Sequence, residues 1–269
     1  MKIDINSSKS ILDFCSTYKK NFLDKGWPSS KLEPWKMTPL NKFIKGESDL
    51  CIKSDYNLTS TFKNEILNEI KFENLKLLQT NYFKTNEMSR VIFSNFDKAF
   101  EINFPENFSS KEIIDFSNFV ESGIWSSSII IIKAGKNVNA NLKLDYSLSS
   151  NSLCTPLLSL DIDEGANIAF GLNVINKADS LSKSNFVGMI DANLKKNSKL
   201  DMVLTQQGVN LSRSDVNINL NGDYSIYNLT GIYFGREKQH KDITACVNHN
   251  AENTSSKQII RGILDDSSV

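Results

Sequence analysis

The residues best suited to chemistry are few and close together. The chain has two histidines, His240 and His249, and both sit in the segment His240-Lys241-Asp242-Ile243-Thr244-Ala245-Cys246-Val247-Asn248-His249. With Cys246 between them they offer the donors of a zinc site, or a thiol and an imidazole for nucleophilic catalysis. Along an uninterrupted strand, however, His240 and Cys246 share one face and His249 points to the other, because side chains alternate with period two. Three ligands then need a bend that the sequence does not announce, and packing or surface histidines are the plainer reading. A carboxylate pair occurs at Asp161 and Asp163, spaced to share the outward face of a strand whose inward residues are Leu160 and Ile162. Such a pair suits calcium binding or acid–base work on a polysaccharide; a solvated face entering the Asp163-Glu164-Gly165 turn is the simpler reading. The chain has no Gly-x-Ser-x-Gly elbow and neither of the common glycine-rich phosphate loops, so any ATP must come with a partner. On these residues alone no catalytic, cofactor-binding or metal-ligating position is nominated.

Composition narrows the partners. Thirty-one Lys+Arg balance 31 Asp+Glu over 269 residues, so no global field draws the chain to nucleic acid or to an anionic membrane. Apolar runs such as Ile129 to Ile132 fall far short of the roughly 20 residues that span a bilayer. The start, Met1-Lys2-Ile3-Asp4-Ile5-Asn6, has neither a signal core nor a transit pattern, which predicts a cytoplasmic protein. Cys15, Cys51, Cys154 and Cys246 form no Cys-x-x-Cys pair and are expected to be reduced, buried thiols.

The elements that must position these residues change character along the chain. Apolar residues at Ile11, Phe14, Cys15, Tyr18 and Phe22 follow the helical period up to Gly26 and Pro28, with the aromatic row as helix core. Thr38-Pro39 reads as an N-cap and first-turn proline opening a short helix through Phe43. Thr61 to Leu78 is spaced for helix, Arg90 to Phe93 and Ala99 to Ile102 read as a hairpin, and Ser109-Ser110-Lys111-Glu112 reads as a capping box for a helix to about Val120, closed by Gly123. Thereafter the period becomes two: Val138, Ala140, Leu142, Leu144, Tyr146 and Leu148; then Ile168 to Val174, Leu200 to Leu204 and Val216 to Leu220. Turn markers at Gly135, Gly165, Asn197 and Gly222 recur at the spacing of solenoid coils and are too far apart for a sandwich. The expected fold is mostly β: a right-handed parallel β-helix (β-solenoid) over 124–269, preceded by a small N-terminal α-helical region with a β-hairpin over 1–123. The apolar stretch Ile259-Ile260 and Ile263-Leu264 has no obvious cap, so the solenoid reads as incomplete.

Glu33-Pro34-Trp35-Lys36-Met37-Thr38-Pro39-Leu40 resembles the Glu-x-Trp-Lys-Tyr-Thr-x-Leu signature of the SufD branch of the SufB/SufD family of iron–sulfur cluster assembly scaffolds. Arg90 to Asn95 is similar to a strand of that family, and His240 through His249 to Arg261-Gly262-Ile263-Leu264 resembles its late solenoid segment. Met37 departs from the usual tyrosine, and the family's last rungs, its Cys-Ser-His-Gly-Ala-Thr segment and its C-terminal helical domain have no counterpart here. The resemblance therefore implies a C-terminally truncated, non-catalytic scaffold subunit of the SUF system. It implies SufB-like and SufC-like (ATPase) partners and a transient Fe–S cluster held only in the assembled complex. The motif positions are Glu33, Trp35, Lys36, Thr38, Leu40, His240, Asp242 and His249, none of them nominated as a cluster ligand. A solenoid carbohydrate-active enzyme and a free-standing structural or interaction solenoid are the alternatives.

Overall fold

The computed structural model describes residues 8–70, 86–176 and 183–269. The amphipathic start forms α1 (Ser8–Lys25), which ends where Gly26 adopts φ +62°. A 3-10 turn at Glu33–Trp35 leads into α2 (Leu40–Phe43). Two short strands follow, β1 (Cys51–Ile52) and β2 (Tyr56–Thr59), then α3 (Lys63–Ile66), β3 (Leu67–Glu69) and α4 (Met88–Asn95). From there the described chain is strand after strand: β4 (Lys98–Phe104), β5 (Ser109–Val120), β6 (Ile124–Ser126), β7 (Ser128–Ala134), β8 (Asn139–Leu148), β9 (Leu153–Cys154), β10 (Leu157–Ile162) and β11 (Asn167–Asn176). The series closes with β12 (Asn185–Leu194), β13 (Lys199–Gln207), β14 (Leu211–Leu220), β15 (Ile226–Gly235), β16 (His240–His249) and β17 (Ser255–Leu264).

These strands wind into a β-solenoid of about six turns. Sheet A contains β4, β7, β10, β12, β14 and β16, and sheet B contains β5, β8, β11, β13, β15 and β17. Pairing between coils is parallel and in register, so that Ile102, Ile132, Leu160, Ala192, Ile218 and Val247 stack as one inward column. All but Val247 are at most 1% exposed. The facing column on sheet B runs Phe116, Leu144, Leu172, Leu204. This is the first of two cores. The second lies outside sheet A, where Ile129, Ile131, Leu157, Val187 and Met189 meet Trp35, Leu40, Val91, Ile92 and Phe93. Burial on both faces is why Ile129 to Ile132 is a continuous apolar run, with none of the alternation seen in sheet B.

One corner of every coil repeats the same backbone. Asn107, Asn137, Gly165, Asn197, Tyr224 and Asn253 all have φ between 56° and 70°, and most of them donate their N–H to the next coil's turn, as Asn137 does to the Glu164 carbonyl. Asparagine and glycine enter this left-handed region at least cost. Gly135 and Gly222 are glycine for a different reason: a Cβ there would lie 2.9 Å from Glu106 N and 2.0 Å from Lys196 N.

At its N-terminal end the solenoid is closed by antiparallel strands, β2 on β5 and β3 on β4. Tyr56 stacks on Phe116 at 4.8 Å and packs against Phe100, and Phe62 meets Phe108 edge-on. At the other end the inward-facing Ile260 and Leu264 of β17 are 40% and 47% exposed.

Several local expectations are corrected. Arg90 to Phe93 is not the first arm of a hairpin; it belongs to α4, which packs between α1 and sheet A and buries every residue from Met88 to Phe93, Ser89 and Arg90 included. Asn86 Oδ1 accepts the Met88 N–H at 2.9 Å and starts this helix. Residues 109–120 are strand, not a capped helix, and the parallel pairing starts at Lys98 and not at Ile124. Glu112 does not reach back to Ser109 but accepts from the Thr61 backbone N–H at 2.9 Å. The helix expected from Thr61 to Leu78 holds only over Lys63–Ile66; Leu67–Glu69 is strand, and residues 71–85 lie outside those described. Thr38 is not the N-cap of α2: that place is taken by Pro39.

Candidate functional site

The strand alternation that turns Ser212, Ser214 and Val216 into the solenoid sends Arg213 and Asp215 of β14 outward. There the N-terminal segment lies over them and buries both, Arg213 to 2% and Asp215 to 5% exposure. The neighbouring strand β16 sets Asp242 beside Arg213 and Thr244 beside Asp215. The guanidinium makes four hydrogen bonds and one further ion-pair contact. Nε gives to Asp215 Oδ1 at 2.9 Å, and one terminal nitrogen reaches the same oxygen at 2.8 Å and the Pro34 carbonyl at 2.8 Å. The other terminal nitrogen gives to Thr38 Oγ1 at 3.0 Å and to Asp242 Oδ2 at 2.7 Å. Thr38 in turn donates its hydroxyl proton to Asp242. Trp35 covers the guanidinium face with its ring centroid 3.9 Å from Cζ, a cation–π contact. Asn86 closes the far side with a hydrogen bond to Asp215. Burial pushes the Asp215 carboxyl up, and Arg213 opposes that.

The segment 33–40 is thus split by the fold. Trp35, Thr38 and Leu40 face the solenoid and are buried, whereas Glu33 and Lys36 are exposed. His240, at the start of β16, packs against Phe43 of α2 at 5.4 Å between ring centroids, and burial lowers its basicity. Lys241 points the other way, into the solenoid, where its Nζ donates to the Val209 carbonyl; burial lowers its pKa to about 7. His249 is not part of this cluster. It sits at the opposite end of β16, exposed, with Nδ1 2.7 Å from Thr254 Oγ1 and Nε2 3.0 Å from Ser256 Oγ. Of the eight motif positions, five therefore converge on the junction between the N-terminal segment and sheet A: Trp35, Thr38, Leu40, His240 and Asp242.

Arg213 and Asp215 were absent from the sequence expectation. Their alternation with Ser212 and Ser214 reads as a wet strand face, and only the overlay of a segment about 175 residues earlier in the chain makes it dry. Asp161 and Asp163 do project outward beside buried Leu160 and Ile162, and Asp163 is tied to Lys195 Nζ at 3.1 Å. Its carboxyl is held below the usual range, chiefly by the Glu164 backbone N–H. Cys51, Cys154 and Cys246 are free thiols as expected, but only Cys154 is buried; Cys51 and Cys246 are exposed.

Chemically the junction is a saturated ionic lock. A guanidinium 2% exposed, ringed by Asp215, Asp242, Thr38 and the Pro34 carbonyl and covered by the Trp35 ring, is committed to holding the junction. Among the described residues no group of three or more His, Cys, Asp or Glu is placed to hold a metal ion, and no helix is long and apolar enough to cross a membrane.

A search of curated proteins finds no match for the chain. The family described as SUF system FeS cluster assembly, SufBD core domain, matches residues 119–269. That span is more than half of the chain and runs from the end of β5 through β17, so the solenoid carries the likeness and the Arg213 junction bolts the N-terminal segment to it. The chain belongs to the SufBD core-domain family of the SUF iron–sulfur cluster assembly system.

Proposed function

We propose that the chain is a non-catalytic scaffold subunit of SUF cluster assembly, of the SufD kind, working with SufB-like and SufC-like subunits in the cytoplasm. The observation that carries this reading is the coincidence of the core-domain match with the solenoid. Two features support it further. The strongest polar cluster is spent on holding the N-terminal segment in place, as suits a rigid platform, and the segment 33–40 that it holds is the one that resembles the SufD signature. In this reading the Fe–S cluster is cargo, formed transiently in the assembled complex, and ATP is hydrolysed by the SufC-like partner. The chain itself holds no resident cofactor.

The test is co-expression of the full chain with SufB-like and SufC-like subunits from the same source. Co-purification of a complex that gains Fe–S absorbance when supplied with iron, sulfide donor and ATP is the expected result. A chain that stays alone while the other two subunits assemble and load a cluster without it would overturn the reading in favour of a free-standing structural solenoid.

A further inference from the structure

A second concave site lies on the opposite corner of the coils from the left-handed turns. A cavity of about 320 Å³ opens between the segment 42–50 and the starts of β9, β12 and β14. Its floor is built around Asn185, which is 6% exposed. Asn185 Nδ2 donates to the Phe43 carbonyl and to the Lys183 carbonyl, each at 3.3 Å. Its Oδ1 accepts from Asn210 Nδ2, also at 3.3 Å. One buried amide therefore fixes the backbone of both walls, the Lys42–Phe43 wall and the Lys183 wall. Apolar surface comes from Phe43, Ile44 and Leu153.

The charge of this cavity is one-sided. Among the described residues Lys42, Lys45 and Lys183 line it against one carboxylate, Glu47, and that carboxylate already accepts from the Trp27 indole N–H at 2.9 Å. No ion pair is formed by any of the three lysines among the described residues. Some lysines on the coils do find partners, as Lys143 does between Asp115 and Asp145, while Lys136 and Lys196 form no ion pair among the described residues and so make a matched control. Three compact ammonium groups around a preformed cleft suit an anion that carries more than one charge and several acceptor oxygens. The size falls in the range of small-molecule sites.

We propose that this cavity binds a small phosphorylated molecule, its phosphoryl oxygens held by Lys42, Lys45 and Lys183 and its apolar part laid against Phe43 and Leu153. The inference is independent of the scaffold reading. It is tested by calorimetric titration of the full chain with adenosine 5′-monophosphate at two salt concentrations. The variants are Lys45→Glu/Lys183→Glu and a control pair, Lys136→Glu/Lys196→Glu, on the far corner. All four side chains are exposed, so the reversals leave the fold intact, which matching melting curves verify. The expected result is one saturable site that weakens with added salt, weakens by at least about tenfold in the Lys45/Lys183 variant and is kept in the control. Heats no larger than dilution, equal loss in both variants, or tighter binding of hexaglutamate than of the nucleotide would each overturn the proposal.

Discussion

Lys241 offers the sharpest test of the packing described above. Its side chain points into the solenoid with 7% exposure, holds one hydrogen bond to the Val209 carbonyl and forms no ion pair among the described residues. Burial alone lowers its pKa from the ordinary 10.5 to about 7. In that window the unfolded chain binds a proton that the folded chain does not, so stability rises with pH from about 7 towards 10.5. Below about 7 the folded state must carry the buried ammonium, and the whole penalty, about 5 kcal/mol at most, is in force. Lys241→Met keeps the length and the apolar stem, removes the charge and leaves the Val209 carbonyl unpaired at a cost of about 1–3 kcal/mol. The variant should be more stable than the parent by about 2–4 kcal/mol near pH 7, and the advantage should shrink as pH rises. Urea unfolding followed by circular dichroism between pH 7.5 and 9.5 measures this, above the range in which His240 titrates. Over those two pH units the parent should gain about 2–3 kcal/mol on the variant. Parallel stability curves would refute the argument, because they would mean that the amine reaches water or a counter-charge.

The Arg213 lock predicts strong coupling across the junction. Arg213→Ala strands the buried Asp215 and the partly buried Asp242 carboxylates and should cost about 3–5 kcal/mol, while Thr38→Val should cost about 1–2 kcal/mol alone and far less in the Arg213→Ala background; additive losses in a double-mutant cycle would deny the contact. Gly222→Ala should lower the melting temperature by several degrees, since its Cβ would lie 2.0 Å from Lys196 N, whereas Gly171→Ala meets only the flexible Lys143 side chain at 3.5 Å and should be near neutral. Iodoacetamide on the native chain should label Cys51 and Cys246 quickly and leave Cys154 unmodified until urea unfolds it, because burial pushes the Cys154 thiol up and shuts it from solvent. Equal alkylation of Cys154 by peptide mass mapping would show that the coil around it opens.

The solenoid was legible where one face is wet. Val138 to Leu148 and Ile168 to Val174 alternate because sheet B has solvent outside it, and every inward residue named from that alternation is buried. Legibility failed where a second layer covers the strand or helix. Val91-Ile92-Phe93 looks like strand because α4 is enclosed and buries three apolar residues in succession, where an exposed helix would place a polar one among them. Ser109 to Val120 looks like helix because outward Ile113 and Phe119, 62% and 61% exposed, blur the two-residue period. The candidate site was half legible. Trp35, Thr38, Leu40, His240 and Asp242 could be picked by likeness to known sequences, but the cation that unites them could not, since an Arg and an Asp two apart on a strand look like surface. Nothing in the local sequence says that a segment so distant along the chain will lie on top of them.

The corner of left-handed turns has a consequence for how this molecule tolerates change in length. Between the end of each sheet A strand and the start of the next sheet B strand the connection hardly varies: Phe104 to Ser109, Ala134 to Asn139, Ile162 to Asn167, Leu194 to Lys199. The returning connections do vary, from Gln207 to Leu211 at the short extreme to Asn176 to Asn185 at the long one. One edge of the solenoid acts as a spine that keeps the count, and the opposite edge is a free margin where residues can be gained or lost without disturbing a single inward column. The lysine-lined cavity lies on that margin, so its shape can drift between related chains while the stack beneath it stays in step.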